Sequence, residues 1–167
     1  MTDKNQDKSD PALNLNFMSH GTLESQDLDV TRKFYEEFFG LECVRTSKES
    51  MWIRLGGKHI YVVVENKKAK PKMSFLNHNG LDVSSDAQVD ESHKICLEQA
   101  EKWGLQNIKK PRVFHGTYCF YFWDADGNCW EILSNPAGGY SWMFDRGDQQ
   151  GKGHHDQDFK RPDTSAP

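Results

Sequence analysis

One order of predicted elements, a strand followed by a helix and three more strands, occurs twice along this chain, and this duplication constrains the fold more than any other feature. The first copy occupies residues 15–66 and the second occupies residues 73–136. The stretch between them is rich in lysine and proline, as linkers often are. Matching details support the repeat, since Phe39-Gly40-Leu41 corresponds to Trp103-Gly104-Leu105. The sequence therefore predicts an α+β fold built from two βαβββ modules.

Capping residues and apolar spacing predict one helix in each module. Asp27 or Asp29 is a suitable N-cap for a first helix that Gly40 ends. Gly104 ends a second helix, whose buried side includes Val89. Strands are predicted where β-branched and aromatic residues cluster between turn residues. The predicted strands are Leu15–Glu24, Leu41–Thr46, Met51–Leu55, His59–Glu65, Phe75–Val83, Gln106–Val113, Thr117–Trp123 and Cys129–Ser134.

The composition argues against several classes of function. With 21 basic and 25 acidic residues among 167, the chain has a formal charge of −4 and no basic stripe, which argues against nucleic-acid binding. No apolar run approaches the ~20 residues that cross a bilayer, and the polar N-terminus lacks the apolar core of a secretory signal. We therefore expect a cytoplasmic protein with no membrane partner. Its four cysteines lack CxxC spacing and are expected to be reduced.

The last predicted hairpin contains the residue that points most directly to chemistry. Two apolar runs flank the polar turn Asp124–Asn128, and the second run contains a single carboxylate, Glu131. Because side chains alternate along a strand, Glu131 shares a face with Cys129 and Leu133, whereas Trp130 points toward the core. A buried carboxylate needs a cation or hydrogen bonds. Glu131 is therefore interpreted either as a solvated edge residue or as a metal ligand.

These features resemble the vicinal oxygen chelate superfamily, which includes glyoxalases, bleomycin-resistance proteins, fosfomycin-resistance enzymes and extradiol ring-cleaving dioxygenases. The resemblance covers residues 15–136 and depends on four motifs: His20 seven residues before Asp27, FYEEFFGL, Asn77-His78, and FYFWDADGNCWEIL. It implies that the two modules form a curved, cup-like mixed sheet with the helices on its convex face. Ala125 replaces the proline that this family usually has in the last turn, and this departure does not affect a ligand.

The resemblance also implies a metal site. In this family the ligands come from the first and last strands of modules, and the matching residues here are His20, His78 and Glu131. Two neutral imidazoles and one carboxylate suit a divalent first-row metal and leave coordination positions open for a substrate. Three further histidines are interpreted as solvated surface residues: His93, His154 and His155.

The position in the first module that corresponds to Glu131 bears on the reaction. If the turns before the last strands of the two modules are aligned, Tyr61 corresponds to Glu131 and His59 corresponds to Cys129. Glyoxalase-like members of the family place a second acid at this position, and this chain has none. The alignment therefore favours a site with three protein ligands, which is typical of non-haem Fe(II) oxygenases.

Three other residues favour an extradiol ring-cleaving dioxygenase. His59, His115 and Tyr121 resemble the histidines and the tyrosine of those enzymes, although His115 is one residue closer to Tyr121 than is usual. The resemblance implies Fe(II), with Mn(II) as the alternative, and a catechol-type aromatic substrate together with O2. His59 would transfer a proton, while His115 and Tyr121 would donate hydrogen bonds to the bound oxygens.

The sequence leaves two other functions open. A lyase, an isomerase or an epoxide-opening resistance enzyme of the same fold would use the same three ligands without O2. A metal-free small-molecule-binding protein would need only an aromatic-lined groove, and the three ligands argue against it. If His59 and Tyr121 have no catalytic role, His59 is interpreted as a solvated turn residue and Tyr121 as a core aromatic residue.

The two ends of the chain lie outside the modules. Residues 1–14 form a polar N-terminal extension, and residues 137–167 form a C-terminal extension. Tyr140 to Phe144 is too apolar for a free tail, so we predict that it packs on the domain as a lid or as cover for a sheet edge. Residues beyond about Gly151 are predicted to be mobile or extended. Because small modules leave sheet edges exposed, we also expect a homodimer.

Overall fold

Eight strands form two separate four-stranded sheets, one from each half of the chain. The computed structural model describes residues 11–13, 15–68, 72–114, 116–136, 138–156 and 158–163. The strands are β1 (His20–Ser25), β2 (Glu42–Arg45), β3 (Ser50–Arg54), β4 (Ile60–Glu65), β5 (Asn79–Val83), β6 (Arg112–Phe114), β7 (Thr117–Trp123) and β8 (Cys129–Ser134).

The two sheets have the same topology. Their strand orders are β1-β4-β3-β2 and β5-β8-β7-β6, and neither sheet closes on itself. In each sheet the first strand pairs in parallel with the last, and the other neighbours are antiparallel. This arrangement confirms the predicted α+β fold with two βαβββ modules.

Each module contains a helix between its first and second strands. Helix α1 (Leu28–Phe34) continues through a π-helical turn (Tyr35–Phe39) and ends at Gly40, whose φ of 71° is left-handed. Helix α2 (Asp86–Glu98) is followed by the short α3 (Ala100–Trp103), which Gly104 ends with a φ of 64°. The N-caps are Asp27 and Ser85, whose side chains accept hydrogen bonds from backbone N–H groups of the first turn. Both glycines and the Asp27 cap agree with the sequence prediction.

The helix-facing sides of both sheets share one hydrophobic core. Its buried members from the two modules are Leu23, Leu28, Phe34, Tyr35, Leu41, Met51, Ile53, Val63, Val89, Cys96, Leu105, Phe120, Phe122, Trp130 and Ile132. Trp130 and Ile132 therefore point inward, as predicted from strand alternation. The opposite side of each sheet, which we call its outer face, points away from this core.

The turn between β7 and β8 is held together by a buried carboxylate and also bonds to the first module. Asp124 is buried, and it accepts hydrogen bonds from the Asn128 backbone N–H at 2.9 Å and from Trp130 Nε1 at 2.9 Å. Burial raises the pKa of Asp124 to about 6. The next aspartate, Asp126, accepts a hydrogen bond from the Gln26 backbone N–H at 2.7 Å. These bonds fix the position of β8 relative to the first module.

Three local predictions differ from the structure. The first strand begins at His20 and not at Leu15. Between Gln106 and Val113 there is only a single bridge from Gln106 to Trp123 before β6 begins, because Pro111 has no N–H to donate to a strand partner. His78 precedes β5 and follows a 3-10 turn, Phe75–Asn77, which the Ser74 side chain caps.

The C-terminal extension is folded in its described part. Helix α4 (Ser141–Arg146) packs on the domain through Trp142, which is buried, and a 3-10 turn follows at Gly153–His155. The prediction that the residues beyond Gly151 are mobile or extended is therefore wrong for this turn. None of the helices in the described part of the chain is long and apolar enough to cross a membrane.

Candidate metal centre

His78 and Glu131 lie side by side on the outer face of the second sheet. The distance from His78 Nε2 to Glu131 Oε2 is 3.3 Å. Glu131 comes from the middle of β8, opposite Gly80 of β5, and only 4% of its surface is exposed. The solvated-edge interpretation of Glu131 is therefore wrong, and its buried carboxylate requires compensating partners.

Tyr121 supplies one of those partners. It faces Glu131 directly across β7 and β8, and its hydroxyl donates a hydrogen bond to Glu131 Oε1 at 2.5 Å. Burial, and secondarily the hydrogen bond to Glu131, raises the pKa of Tyr121 far above its usual range. Tyr121 therefore remains a protonated donor, and Oε2 is the carboxylate oxygen that is left facing His78.

The imidazole of His78 is oriented by the backbone. Its Nδ1 lies 2.7 Å from the carbonyl oxygen of Phe75, which can only accept a hydrogen bond. A proton on Nδ1 leaves the lone pair of Nε2 directed at Glu131 Oε2. Two electron-rich atoms then face each other, and this arrangement needs a proton or a cation between them. A histidine whose other nitrogen donates to a carbonyl is the usual form of a metal-ligating histidine, so this pair fits a divalent metal.

Two thiols and a glycine surround the pair. Cys119 and Cys129 are on the same strand face as Glu131, and burial raises the pKa of each thiol to about 12. Both thiols are therefore protonated in the metal-free chain. Gly80 keeps the backbone of β5 close to the site, since a Cβ at this position would lie 3.3 Å from Leu133 Cδ2 and 3.9 Å from Glu131 Oε2.

The third predicted ligand, His20, is in the other sheet. It lines a groove of about 810 Å³ on the outer face of the first sheet, and every residue lining this groove belongs to the first module. The groove floor includes Val44, Val62 and Trp52, of which Trp52 is 47% exposed. No group of three histidine, cysteine or acidic side chains able to hold a metal occurs among the described residues. A single chain therefore brings His78 and Glu131 together but does not bring His20 to them.

His20 and His78 nevertheless occupy corresponding positions. Each lies seven residues before the N-cap of the helix that follows, Asp27 in one module and Ser85 in the other. The strand registers agree with this match. Val62 pairs with Thr22 and Trp52, and Glu131 pairs with Gly80 and Tyr121 in the same way, so Val62 corresponds to Glu131 and Trp52 corresponds to Tyr121. We call these matched residues module equivalents.

The module equivalents correct one sequence alignment. Val62, and not Tyr61, corresponds to Glu131. Aligning Gly57 with Gly127 shifted the last strand by one residue, because the two turns have the same length and Gly127 corresponds to Lys58 in the observed register. Tyr61 instead packs against the shared core, as its equivalent Trp130 does. Since valine has no ligand atom, the first module still supplies no acid at this position.

The other predicted catalytic residues do not join the pair in one chain. His59 is exposed, with Nδ1 3.2 Å from the Met18 carbonyl oxygen, and it lines a separate cavity of about 270 Å³ between the modules. His115 lies outside the described residues. Tyr121 reaches the site, but its hydroxyl contacts the predicted ligand Glu131 and not an open coordination position.

Two contributors were not foreseen from the sequence. The Phe75 carbonyl cannot be identified from sequence because any residue would supply it. Trp52 carried a signal, since it alternates with Met51 and Ile53 and so must lie on the face of β3 opposite the core. A large aromatic residue on an exposed strand face is unusual enough to indicate a binding surface.

Comparisons with known proteins agree on the fold. No family model matches the sequence, and no curated protein is similar to it in sequence. A possible glyoxalase from Bacillus cereus is 24% identical with a TM-score of 0.57, over 70% of this chain and 97% of that one. A glyoxalase/dioxygenase from Nostoc punctiforme is 20% identical with a TM-score of 0.58, over 77% and 99% of the two chains.

A third solved structure is that of a mutant of the fosfomycin resistance protein FosX from Listeria monocytogenes, complexed with Mn(II) and a dihydroxypropylphosphonic acid. It is 19% identical with a TM-score of 0.59, over 78% of this chain and 99% of that one. Together these likenesses show that the chain has the fold of glyoxalases and fosfomycin resistance proteins, which is the fold of the vicinal oxygen chelate superfamily.

Proposed function

We propose that this protein is a metal-dependent enzyme that acts, without O2, on a small molecule able to bind the metal through two neighbouring oxygens. Its reaction would be that of a glyoxalase-like lyase, an isomerase or an epoxide-opening resistance enzyme. The observation that carries this proposal is the 3.3 Å approach of His78 Nε2 to the buried Glu131 Oε2, with both side chains oriented by further hydrogen bonds. A binding protein without a metal would gain nothing from burying this pair.

The metal would be divalent. When bound, it would polarise a substrate oxygen as a Lewis acid. The solved FosX complex contains Mn(II), which supports Mn(II) for this chain more directly than Fe(II). His78 and Glu131 would hold the metal, and Tyr121 would keep the Glu131 carboxylate in a single orientation. The apolar side chains of Phe75 and Leu133, which pack with Tyr121 beside the pair, would limit the access of water.

We further propose that the third ligand is the partner subunit's His20, so that a homodimer is the active form. Support comes from the outer face of the first sheet, where His20 lies in an apolar groove. The floor of that groove includes Val44 and Trp52, both of which are exposed in the single chain. Apolar patches of this kind are usually covered by a partner. A second copy with its His78–Glu131 pair facing this groove would cover it and complete the set of three ligands.

The positions of the predicted catalytic residues favour a reaction without O2 over ring cleavage. Ring cleavage needs acid–base groups beside the open coordination positions. His59 lines the cavity at the module junction and not the groove that contains His20, so the proposed dimer does not bring it to the pair, and the Tyr121 hydroxyl is already engaged by Glu131. The named glyoxalase and fosfomycin resistance neighbours also favour the alternative reactions.

Metal titration tests the proposal. We expect the wild-type protein to bind one Mn(II) per chain, and the Glu131→Ala variant to lose at least 100-fold in affinity while remaining folded. Glu91→Ala is the matched control, since Glu91 is exposed on α2. Stoichiometric metal in Glu131→Ala would contradict the assignment. A screen of hemithioacetals, epoxides and catechols with and without oxygen then separates the reactions, and oxygen uptake with a catechol would overturn the proposed reaction class.

A further inference from the structure

A cleft lies on the outer face of the second sheet, beyond Glu131. Its volume is about 330 Å³, and it is bounded by the ends of β5 and β8 and by the start of the C-terminal extension. Asn135 follows β8 on the same face as Glu131, four residues further along. At a rise of about 3.3 Å per residue, the two residues are roughly 13 Å apart. The cleft is therefore a neighbour of the candidate metal centre.

Asn135 has a buried donor that is unpaired. The residue is 6% exposed, and its Oδ1 accepts a hydrogen bond from Trp142 Nε1 at 3.4 Å, which sets the orientation of the amide. Its Nδ2 has no hydrogen-bond partner, and it is the one buried side-chain nitrogen or oxygen in the described part of the chain of which this is true. Buried donors are almost always paired, so an unpaired one indicates that a water or a ligand group belongs there.

Two further polar groups lie close to the Asn135 amide. Asp82 lines the cleft, and burial raises the pKa of its carboxyl. Tyr140 lies beside the cleft and is 43% exposed, and burial raises its pKa to about 12, with the charge of Glu131 adding to the shift. The Asn135 amide lies near enough to both groups to lower their pKa values, although its Nδ2 does not reach hydrogen-bond geometry with either of them. The cleft therefore offers a donor without a hydrogen bond next to a carboxylate, and a hydroxyl lies beside it.

The C-terminal extension forms one side of the cleft and is itself bonded to the domain. Gly138 and Gly139 have φ values of 91° and 64°, which allow the chain to turn back over the sheet, and a Cβ on Gly139 would lie 3.8 Å from the Asp82 carboxylate. Trp142 is buried beside Asn135. Further along, Arg161 Nη1 donates to the Ser134 carbonyl oxygen at 2.6 Å. The cleft is thus part of a fixed structure.

We propose that the cleft lined by Asn135 and Asp82, with Tyr140 beside it, binds the end of the substrate that is remote from the metal, and that this end is a neutral group with both an acceptor and a donor, such as a primary carboxamide. This inference rests on the proposed function. Asn135 Nδ2 would donate to the carboxamide oxygen, and Asp82 would accept from its N–H. An anionic group is disfavoured, because it would lie beside Asp82 and near Glu131.

Binding of hydroxamates that differ in chain length and end group tests this subsite. A hydroxamate chelates metals through two neighbouring oxygens, so straight-chain hydroxamates that end in a carboxamide, a carboxylate or a methyl group can be compared by calorimetry on the Mn(II)-loaded protein. At the best chain length, we expect the carboxamide to bind at least tenfold more tightly than the other two. Asn135→Asp, which keeps an oxygen for Trp142, should abolish this preference, and Tyr140→Phe should reduce it. Asn107→Asp, at an exposed turn residue, should leave it unchanged.

Equal affinity for the three hydroxamates would show that the cleft holds only water, and would overturn the subsite. Failure of every hydroxamate to bind would instead overturn the proposed metal chemistry. In that case the cleft is tested in the metal-free protein by titrating acetamide and following side-chain amide signals by NMR. A shift of the Asn135 signal, but not of the Asn107 signal, supports the subsite, and the absence of a shift refutes it. The same measurement applies if Asn135→Asp does not fold.

Discussion

Tyr121 and Glu131 face each other directly across β7 and β8, and the tyrosine hydroxyl donates a hydrogen bond to the carboxylate at 2.5 Å. Both side chains are buried. A tyrosine in this position holds one carboxylate oxygen and so determines where the other points. We therefore regard Tyr121 as a positioning residue that acts through Glu131.

Replacing Tyr121 by phenylalanine should weaken metal binding by about 10- to 100-fold, the usual effect of removing a hydrogen bond to a metal ligand. Tyr118→Phe is the matched control, since Tyr118 lies on the same strand and its hydroxyl donates to the exposed Asp90. Calorimetric titration with Mn(II) measures both variants. Unchanged affinity in Tyr121→Phe would show that the hydrogen bond serves only the fold.

The placement of His20 in a different sheet from Glu131 leads to a complementation experiment. His20→Ala and Glu131→Ala chains should each lack a complete site. If each site is shared between two chains, a mixed dimer has one intact site, because one chain supplies His20 and the other supplies His78 and Glu131. Refolding equal amounts together gives mixed dimers in about half of the population, so metal binding should recover to roughly one quarter of the wild-type level.

A site built within one chain would give no recovery in this mixture, since every site would lack a ligand. Sedimentation of the wild-type protein provides an independent check. A single 19.3 kDa species at micromolar concentration would contradict the proposed dimer.

The C-terminal extension should contribute to stability through Trp142. Trp142→Ala is expected to lower the free energy of unfolding by up to about 3–5 kcal/mol, the range for a buried tryptophan. Phe144, two residues away in the same helix, is 85% exposed, so Phe144→Ala should change stability by less than about 0.5 kcal/mol. Urea denaturation of both variants checks this. Equal effects would mean that α4 does not pack through Trp142.

Truncation after Ala137 separates the two predicted roles of the extension. Loss of stability supports its role as cover for the second sheet. Loss of turnover at an unchanged melting temperature supports a lid over the site. The bonds from Arg161 to Ser134 and from Trp142 to Asn135 lead us to expect a lower melting temperature.

Asp124 should make stability depend on pH near neutrality. Its folded pKa of about 6 is above the value of 3.8 for a free side chain, because burial disfavours the charged form. A raised pKa means that the folded state binds the proton more tightly than the unfolded state does. The stabilising contribution of Asp124 is therefore present at low pH and is lost as the pH rises through about 6.

Lowering the pH from 7.5 to 5, one unit below the folded pKa, should raise the free energy of unfolding through this group alone by about 1.4 kcal/mol, since one pKa unit corresponds to about 1.4 kcal/mol. NMR titration of the Asp124 carboxyl carbon measures the pKa directly, and denaturation of the wild-type and Asp124→Asn proteins at both pH values measures the linkage. A carboxyl pKa below 4 would show that the hydrogen bonds from Asn128 and Trp130 outweigh burial.

Local signals in the sequence were enough to predict the two modules, most of their strands and the face on which Glu131 lies. These features depend on local signals: alternation fixed Glu131 opposite Trp130, and Gly40 and Gly104 ended the helices because few other residues adopt a left-handed φ. The resemblance to a known family predicted that His78 and Glu131 would act together, and the structure brings them together because β5, which begins directly after His78, pairs with β8.

How the modules are related could not be predicted, since it depends on which faces share a core. The helix sides of both sheets pack into one core, His20 lies in a groove lined by first-module residues alone, and no group of three ligands forms among the described residues. Strand pairing also set the register in which Val62 corresponds to Glu131, because the glycine occupies different positions in two turns of equal length and so does not mark equivalent residues. The docking of the extension, which leaves Asn135 Nδ2 buried and unpaired, likewise depends on contacts between residues distant in sequence.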